Sequence, residues 1–269
     1  MAPRRSGRTI PITGPGGRVE SHRPVAARRP AGAGCAIATT EPAPVTLLIL
    51  AAALWIFIHI GISGTRLRDA VVARLGEGRF MLVFSVASFV SIFLLVIAWQ
   101  NAGTTFLWAA PGWLRWILAF LMLPAFVLFM ASHKRNPTAV GNKGLGEEPR
   151  GVQRVTRHPM LWSFAIWGFV HVLGNGDTAS LVFFGAFLVT ALAGMPSIDA
   201  KLARRSPEAW RGFAQRTSVV PFGAILSGRN RLVLSEIGWM PPVVGLVLWA
   251  ALLHFHRGIF GVPALILGG

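Results

Sequence analysis

Six long apolar runs, each almost free of charge, constrain the fold of this chain more than any motif does; they fall at residues 45–62, 80–99, 113–132, 159–174, 179–196 and 240–255. Crossing roughly 30 Å of hydrocarbon takes about 20 apolar residues in a helix, with about 17 tolerated. The runs therefore predict an all-α fold, a polytopic transmembrane helix bundle of about six spans. The fourth and sixth are short and predict tilted or incompletely crossing partners, so five crossings is the alternative count. Composition agrees: 53% of the 269 residues are apolar and 13% are charged, against about 25% charged in a soluble domain.

The loops alternate in charge. Residues 66–79 hold four arginines, 100–112 no Lys or Arg, 133–157 six basic residues, 175–178 none and 197–240 seven. The positive-inside rule makes the basic loops cytoplasmic. Net charge is +16, but the cations sit between spans rather than on one stripe, which sets nucleic acid aside and makes the lipid bilayer the partner. Residues 1–44, rich in Pro, Gly and Ala with seven arginines, predict a disordered basic tail, and residues 45–269 the membrane domain. Topology would put that tail outside, against the rule, so one expectation is a natural start near Val45 with a mispredicted extension before it. Trp99, Trp108, Trp113 and Trp116 surround the uncharged loop as an interfacial aromatic belt would, and Arg115 would reach past them to the headgroups.

The sole cysteine, Cys35, lies in the tail, which excludes an internal disulfide, a thiolate cluster and covalent haem attachment. Metal chemistry then falls to histidine. An ionisable group inside a span is costly enough to suggest function, and His59 and His171 lie in the first and fourth runs. His158 opens the fourth run, His254 and His256 close the sixth, and His133 and His22 are expected to be solvated. Axial haem ligation, another metal, a proton relay, or a hydrogen bond to a neighbouring helix all suit such histidines. In RVTRHPMLW, Pro159 suits a helix start. Arg154, Arg157 and His158 then face the headgroups, either as an ordinary positive-inside helix start or as an anion clamp for a haem propionate, phosphate or carboxylate. Within residues 197–240, Ile198, Leu202, Trp210 and Phe213 have amphipathic spacing and predict a helix lying on the membrane surface, with Ser206 and Glu208 beside Pro207 at its start. Asp199 reads as a solvated carboxylate. Metalloprotease, nucleophile-elbow and Walker motifs are absent, which leaves hydrolase and NTPase readings unsupported.

Taken together, HIGISGTRLRDAVVARLGEGRF, RVTRHPMLW, HVLGNGD and RTSVVPFGAILSGR resemble the NnrU family in order and spacing, from Val45 onward. The resemblance implies a bacterial inner-membrane protein associated with nitrite and nitric oxide respiration. It also implies kinship with plant 15-cis-zeta-carotene isomerase, a haem b enzyme, and a small hydrophobic or gaseous substrate. By that kinship His59 and His171 match the haem-ligating positions, while Gly168 stands where the plant enzymes carry a cysteine. Helical rise puts His171 about 20 Å along the run from His158, near the opposite face from His59. His171 with His256, and His59 with His158, are therefore the alternative pairs. A second resemblance, of RHPMLW and the downstream VVPF segment, is to isoprenylcysteine carboxyl methyltransferases; it implies S-adenosylmethionine bound near His158, Glu208 and Trp210. A non-catalytic membrane subunit or assembly factor is the third reading.

Overall fold

A segment that cannot reach water must pair its backbone N–H and C=O groups internally, and each apolar run accordingly forms a helix. The computed structural model describes residues 44–133, 136–138 and 144–265. The expected tail, with His22 and Cys35, lies outside the described residues up to position 43. Among the described residues the order is α1 (Val45–Ile56), continued by a π-helical turn (Phe57–Ile62), α2 (Arg66–Leu75), α3 (Glu77–Asn101), α4 (Gly112–Ala131), α5 (Val152–Val155) and α6 (Pro159–Asn175), followed by α7 (Thr178–Arg205), α8 (Pro207–Arg216), α9 (Gly223–Leu226), α10 (Leu234–Ile237) and α11 (Met240–Phe260).

Five of these are long and apolar enough to cross a membrane: α1 with its π turn, α3, α4, α7 and α11. The fourth expected span forms as α6, but its 17 residues make a rod only about 26 Å long. The chain is a multi-pass membrane bundle with α11, α4, α6, α7, α1 and α3 packed in that spatial order. Lipid, rather than water, accounts for the apolar side chains on its outside, such as Phe89 at 75% and Phe93 at 63% exposure on α3.

Glycine sets the closest approach. A Cβ on Gly168 of α6 would stand 3.0 Å from the Phe184 carbonyl oxygen and 3.1 Å from the Leu188 nitrogen of α7, so a residue without one lets these backbones meet. At the uncharged-loop end, Gly176 adopts φ 68°. Its carbonyl accepts from the Leu107 and Trp108 nitrogens at 2.8 and 3.1 Å, and Asp177 caps α7 through the Ser180 nitrogen at 2.9 Å. Two of the belt tryptophans are protein contacts instead: Trp99 stacks on Phe183 with centroids 4.7 Å apart, and the Trp108 indole donates to the Leu173 carbonyl at 3.0 Å. Trp113 and Trp116 are the outward pair, 66% and 41% exposed.

Two expectations for residues 197–240 need correction. Helix α7 does not stop at Pro196 but runs through it to Arg205, because membrane-depth helices accommodate proline and the residues beyond it are good helix formers. The amphipathic helix does begin at Pro207 as α8. Its apolar face, however, is covered by protein: Trp210 and Phe213 pack with Leu202 and, beside them, Leu145 and Ile198.

Candidate functional site

Two motifs some sixty residues apart in sequence form one knot at the basic-loop end. From RVTRHPMLW, the Thr156 hydroxyl donates to the Val219 carbonyl at 2.7 Å, the Trp162 indole to the same carbonyl at 2.8 Å, and the Arg157 nitrogen to the Ser218 carbonyl at 3.0 Å. In return the Phe222 nitrogen donates to the Val155 carbonyl at 2.7 Å. Phe222 holds a left-handed φ of 64°, a strained state for a residue with a Cβ that persists only where its surroundings dictate it.

Asp199 closes this knot from α7. One carboxylate oxygen accepts from Arg157 Nε at 3.0 Å and Nη2 at 2.5 Å, and the other from His158 Nε2 at 2.7 Å. The expectation of a solvated carboxylate is therefore wrong: the Asp199 side chain is 16% exposed, because the continuation of α7 past Pro196 carries it over the start of α6. The Arg157 guanidinium, which also lies 5.4 Å over the Trp210 ring, has an internal carboxylate for its anion. His158 is fully buried and its Nδ1 has no partner, so with Nε2 donating to Asp199, Nδ1 carries the bare lone pair. Alongside, Arg154 grips Glu236 through Nε at 2.7 Å and Nη2 at 2.9 Å, and Asn230 through Nη1 at 2.6 Å. The Arg154 guanidinium holds the Glu236 carboxyl down at about 2, from an ordinary 4.5.

The larger of two histidine-lined cavities, about 840 Å³, opens beside the π-helical turn. That turn follows an i→i+5 pattern, as in the bond from the Ser63 nitrogen to the Ile58 carbonyl at 3.2 Å, and such turns often mark functional positions. His59 sits in it with Nδ1 2.8 Å from the Trp55 carbonyl. A carbonyl only accepts, so the proton is on Nδ1 and Nε2 is left with a free lone pair, the tautomer a metal-binding imidazole needs. Gly64 ends the turn against α7, where the Ser197 hydroxyl donates to its carbonyl at 3.0 Å and would lie 2.2 Å from an added Cβ. His59, Phe80, Met81, Phe84 and Met160 make one part of the lining apolar, while Arg68, Lys201 and Arg205 bring positive charge to another. His133 lines the same cavity, its Nδ1 2.8 Å from the Phe129 carbonyl.

His171 and His256 line a second cavity of about 540 Å³, toward the uncharged-loop end, together with Arg115. Each also directs Nδ1 at a carbonyl, His171 at Trp167 at 2.8 Å and His256 at Val262 at 2.7 Å. Between His59 and His171 runs a file of rings: Trp55 at 3.8 Å from His59, Phe187 at 4.9 Å from Trp55, Trp167 at 5.2 Å from Phe187 and 5.1 Å from His171.

The fold thus brings His171 to His256, and His59 to His133, in separate cavities, whereas His158 belongs to the Asp199 knot and lines neither. Glu208 is exposed and Trp210 is buried in the α7–α8 core. Among the described residues no group of three or more His, Cys, Asp or Glu could hold a bare metal ion; a haem brings its own ring nitrogens and asks the protein for one or two axial ligands. His133 is exposed, as expected, although it also lines the larger cavity; sequence reasoning missed Arg68, Asn136 and Lys201 as cavity residues. Their polarity reads as loop chemistry until the helices place them, although Arg68 within HIGISGTRLRDAVV carried the one available signal.

A family model described as NnrU protein matches residues 47–264. The chain is similar to 15-cis-zeta-carotene isomerase, chloroplastic, of Zea mays, 27% identical over 205 residues, covering 73% of this chain and 55% of the maize protein. The Arabidopsis thaliana isomerase of the same name is 26% identical over 204 residues, with the same shares. The chain spans 55% of the length of these curated relatives. No solved structure matches.

Proposed function

We propose that this chain, which belongs to the NnrU family, is a haem b protein of the bacterial inner membrane that isomerises a conjugated, carotenoid-like substrate, with His59 as the anchoring iron ligand. The observation that carries the reading is the His59 imidazole, fixed through Nδ1 by the Trp55 carbonyl with Nε2 free, at the wall of a cavity of about 840 Å³. That volume, an apolar lining beside a cationic one, and one oriented imidazole fit a porphyrin carrying two carboxylates. Similarity to two zeta-carotene isomerases supports a polyene as the substrate class.

When bound, haem would supply a redox-active, Lewis-acidic iron with a coordination position for substrate or a gas. The protein's own part is to hold and exclude. His59 presents a neutral nitrogen donor; Phe80, Phe84 and Met160 keep water from an apolar chain; Arg68 and Lys201 offset carboxylate charge. His133, an exposed residue lining the same cavity, is its other candidate for an axial ligand, while His171 lies beyond Trp55, Phe187 and Trp167.

The test is the oxidised and reduced absorbance spectrum of the detergent-purified chain, expressed with haem supplied. A stoichiometric Soret band lost in His59→Ala supports the reading. Loss in His171→Ala as well would mean that the ring file opens to let both histidines reach the iron. Identical haem content and spectra in both variants would refute ligation by either residue, and a haem-free wild type would favour a non-catalytic membrane subunit. Titration of the same sample with nitric oxide reads the respiratory role.

A further inference from the structure

We propose that the basic-loop end of the larger cavity is an oxyanion site that holds the carboxylates or phosphate of an amphipathic ligand whose apolar body lies along Phe80, Phe84 and Met160. Two donors lining this cavity are buried and unpartnered: Arg68 Nη1 and Asn136 Nδ2. Their residues are only 6% and 7% exposed. Buried donors in native proteins nearly always find an acceptor, so a pair left open on one cavity wall marks the place where a ligand supplies it.

The rest of each side chain is occupied, which fixes the open atoms in place. Arg68 gives Nη2 to Glu77, rests 4.9 Å over the Phe80 ring, and leaves Nη1 3.8 Å from Asp69 Oδ1, past hydrogen-bond reach. Asn136 uses its Oδ1 to accept from the Thr138 nitrogen at 3.1 Å and hydroxyl at 2.8 Å, so its amide group is turned by its own loop. Lys201 and Arg205 line the same cavity one helical turn apart on α7. Arg205 is held by Asp69 at 2.8 Å, and Lys201 has no ion-pair partner among the described residues. Among the described residues, three cations and one carboxylate, Glu77, line the cavity.

An amphiphile fits this lining better than a free anion does, since inorganic phosphate would leave the aromatic and methionine walls uncovered. The shared chemistry is an oxyanion on an apolar body. Two sources meet it, the propionates of a porphyrin or the phosphate of an anionic phospholipid, so the site stands without haem, although the porphyrin source would deepen the haem reading.

The experiment uses the full chain purified in neutral detergent and compares two pairs of probes: phosphatidylglycerol against phosphatidylcholine by native mass spectrometry and thermal shift, and haem against haem dimethyl ester by absorbance titration. The expected result is a preference of about tenfold for the anionic member of at least one pair, reduced to about threefold or less in Lys201→Gln and in Arg68→Gln. Should Arg68→Gln fail to fold, Arg205→Gln takes its place. Preference for haem over its ester alone assigns the site to the porphyrin, and preference for phosphatidylglycerol alone assigns it to lipid; either supports the site. If haem fails to bind while the lipid preference holds, the haem reading falls and the oxyanion site survives. Equal affinity within both pairs, no binding of any probe, or a preference untouched by both substitutions overturns the proposal.

Discussion

Replacing Asp199 with Asn tests the knot that joins the RVTRHPMLW and RTSVVPF segments, and its cost can be worked from the contacts. The carboxylate accepts three hydrogen bonds, two from Arg157 and one from His158, whereas an Asn side chain has one oxygen. If that oxygen keeps Arg157, the new NH₂ faces His158 Nε2. The ring must then move its proton to Nδ1, a buried atom with no acceptor, at about 1–3 kcal/mol. Arg157 meanwhile trades a charge-assisted pair for a neutral one while its side chain remains only 14% exposed. Breaking one side of a buried pair costs about 3–5 kcal/mol, and the residual exposure puts Asp199→Asn near the lower end, about 3 kcal/mol. On the scale of soluble domains of 150–250 residues this is a fall in Tm of roughly 6–12 °C. The assay is thermal unfolding in detergent of the wild type, Asp199→Asn, Arg157→Gln and the double variant. The double should be less destabilised than the sum of the singles, since each single strands a partner that the double also removes. A Tm within about 2 °C of wild type for Asp199→Asn, or simple additivity in the cycle, would refute the argument that these groups act as one buried unit.

Gly168→Cys should overpack the α6–α7 contact and cost about 1–3 kcal/mol, because backbone atoms of Phe184 and Leu188 lie 3.0 and 3.1 Å from the new Cβ; an unchanged melting curve would mean the two helices part freely. Gly176→Ala combines a positive φ with a Cβ 1.9 Å from the Trp108 carbonyl oxygen, so it should detach residues 102–111 from the α6–α7 turn and raise their hydrogen exchange, with wild-type exchange counting against it. Stability should also depend on pH through Glu236. Its folded-state value is depressed to about 2 from 4.5, so its contribution is complete above about 4.5 and is lost as pH falls toward 2. Glu236→Gln should therefore be less stable than wild type at neutral pH and converge with it in acid, and parallel curves across that range would count against the Arg154–Glu236 pair as the cause.

Much of the site chemistry was legible as residue types but not as partnerships. His59 stood out because a histidine in an apolar run is conspicuous, and the NnrU resemblance was carried by short motifs whose order survives sequence divergence. Asp199 read as solvated because it follows a proline at an expected span end, and nothing local says that the helix continues. Lys201 read as a loop cation for the same reason, and nothing local marks His133, exposed just past α4, as bordering a cavity. Their place on a cavity wall depends on how α4 and α7 approach α1 and α2.

By itself the sequence determined the solvent and the class of fold: runs of apolar residues must be helices in lipid because their backbone groups have no other partners, and this holds whatever they pack against. Only the tertiary structure decided which histidines share a cavity, which carboxylate answers Arg157, and which donors remain open. Those are distances between helices distant in sequence, fixed by side-chain packing across the bundle, and a one-residue turn of any helix would have rearranged every one of them without altering a single apolar run.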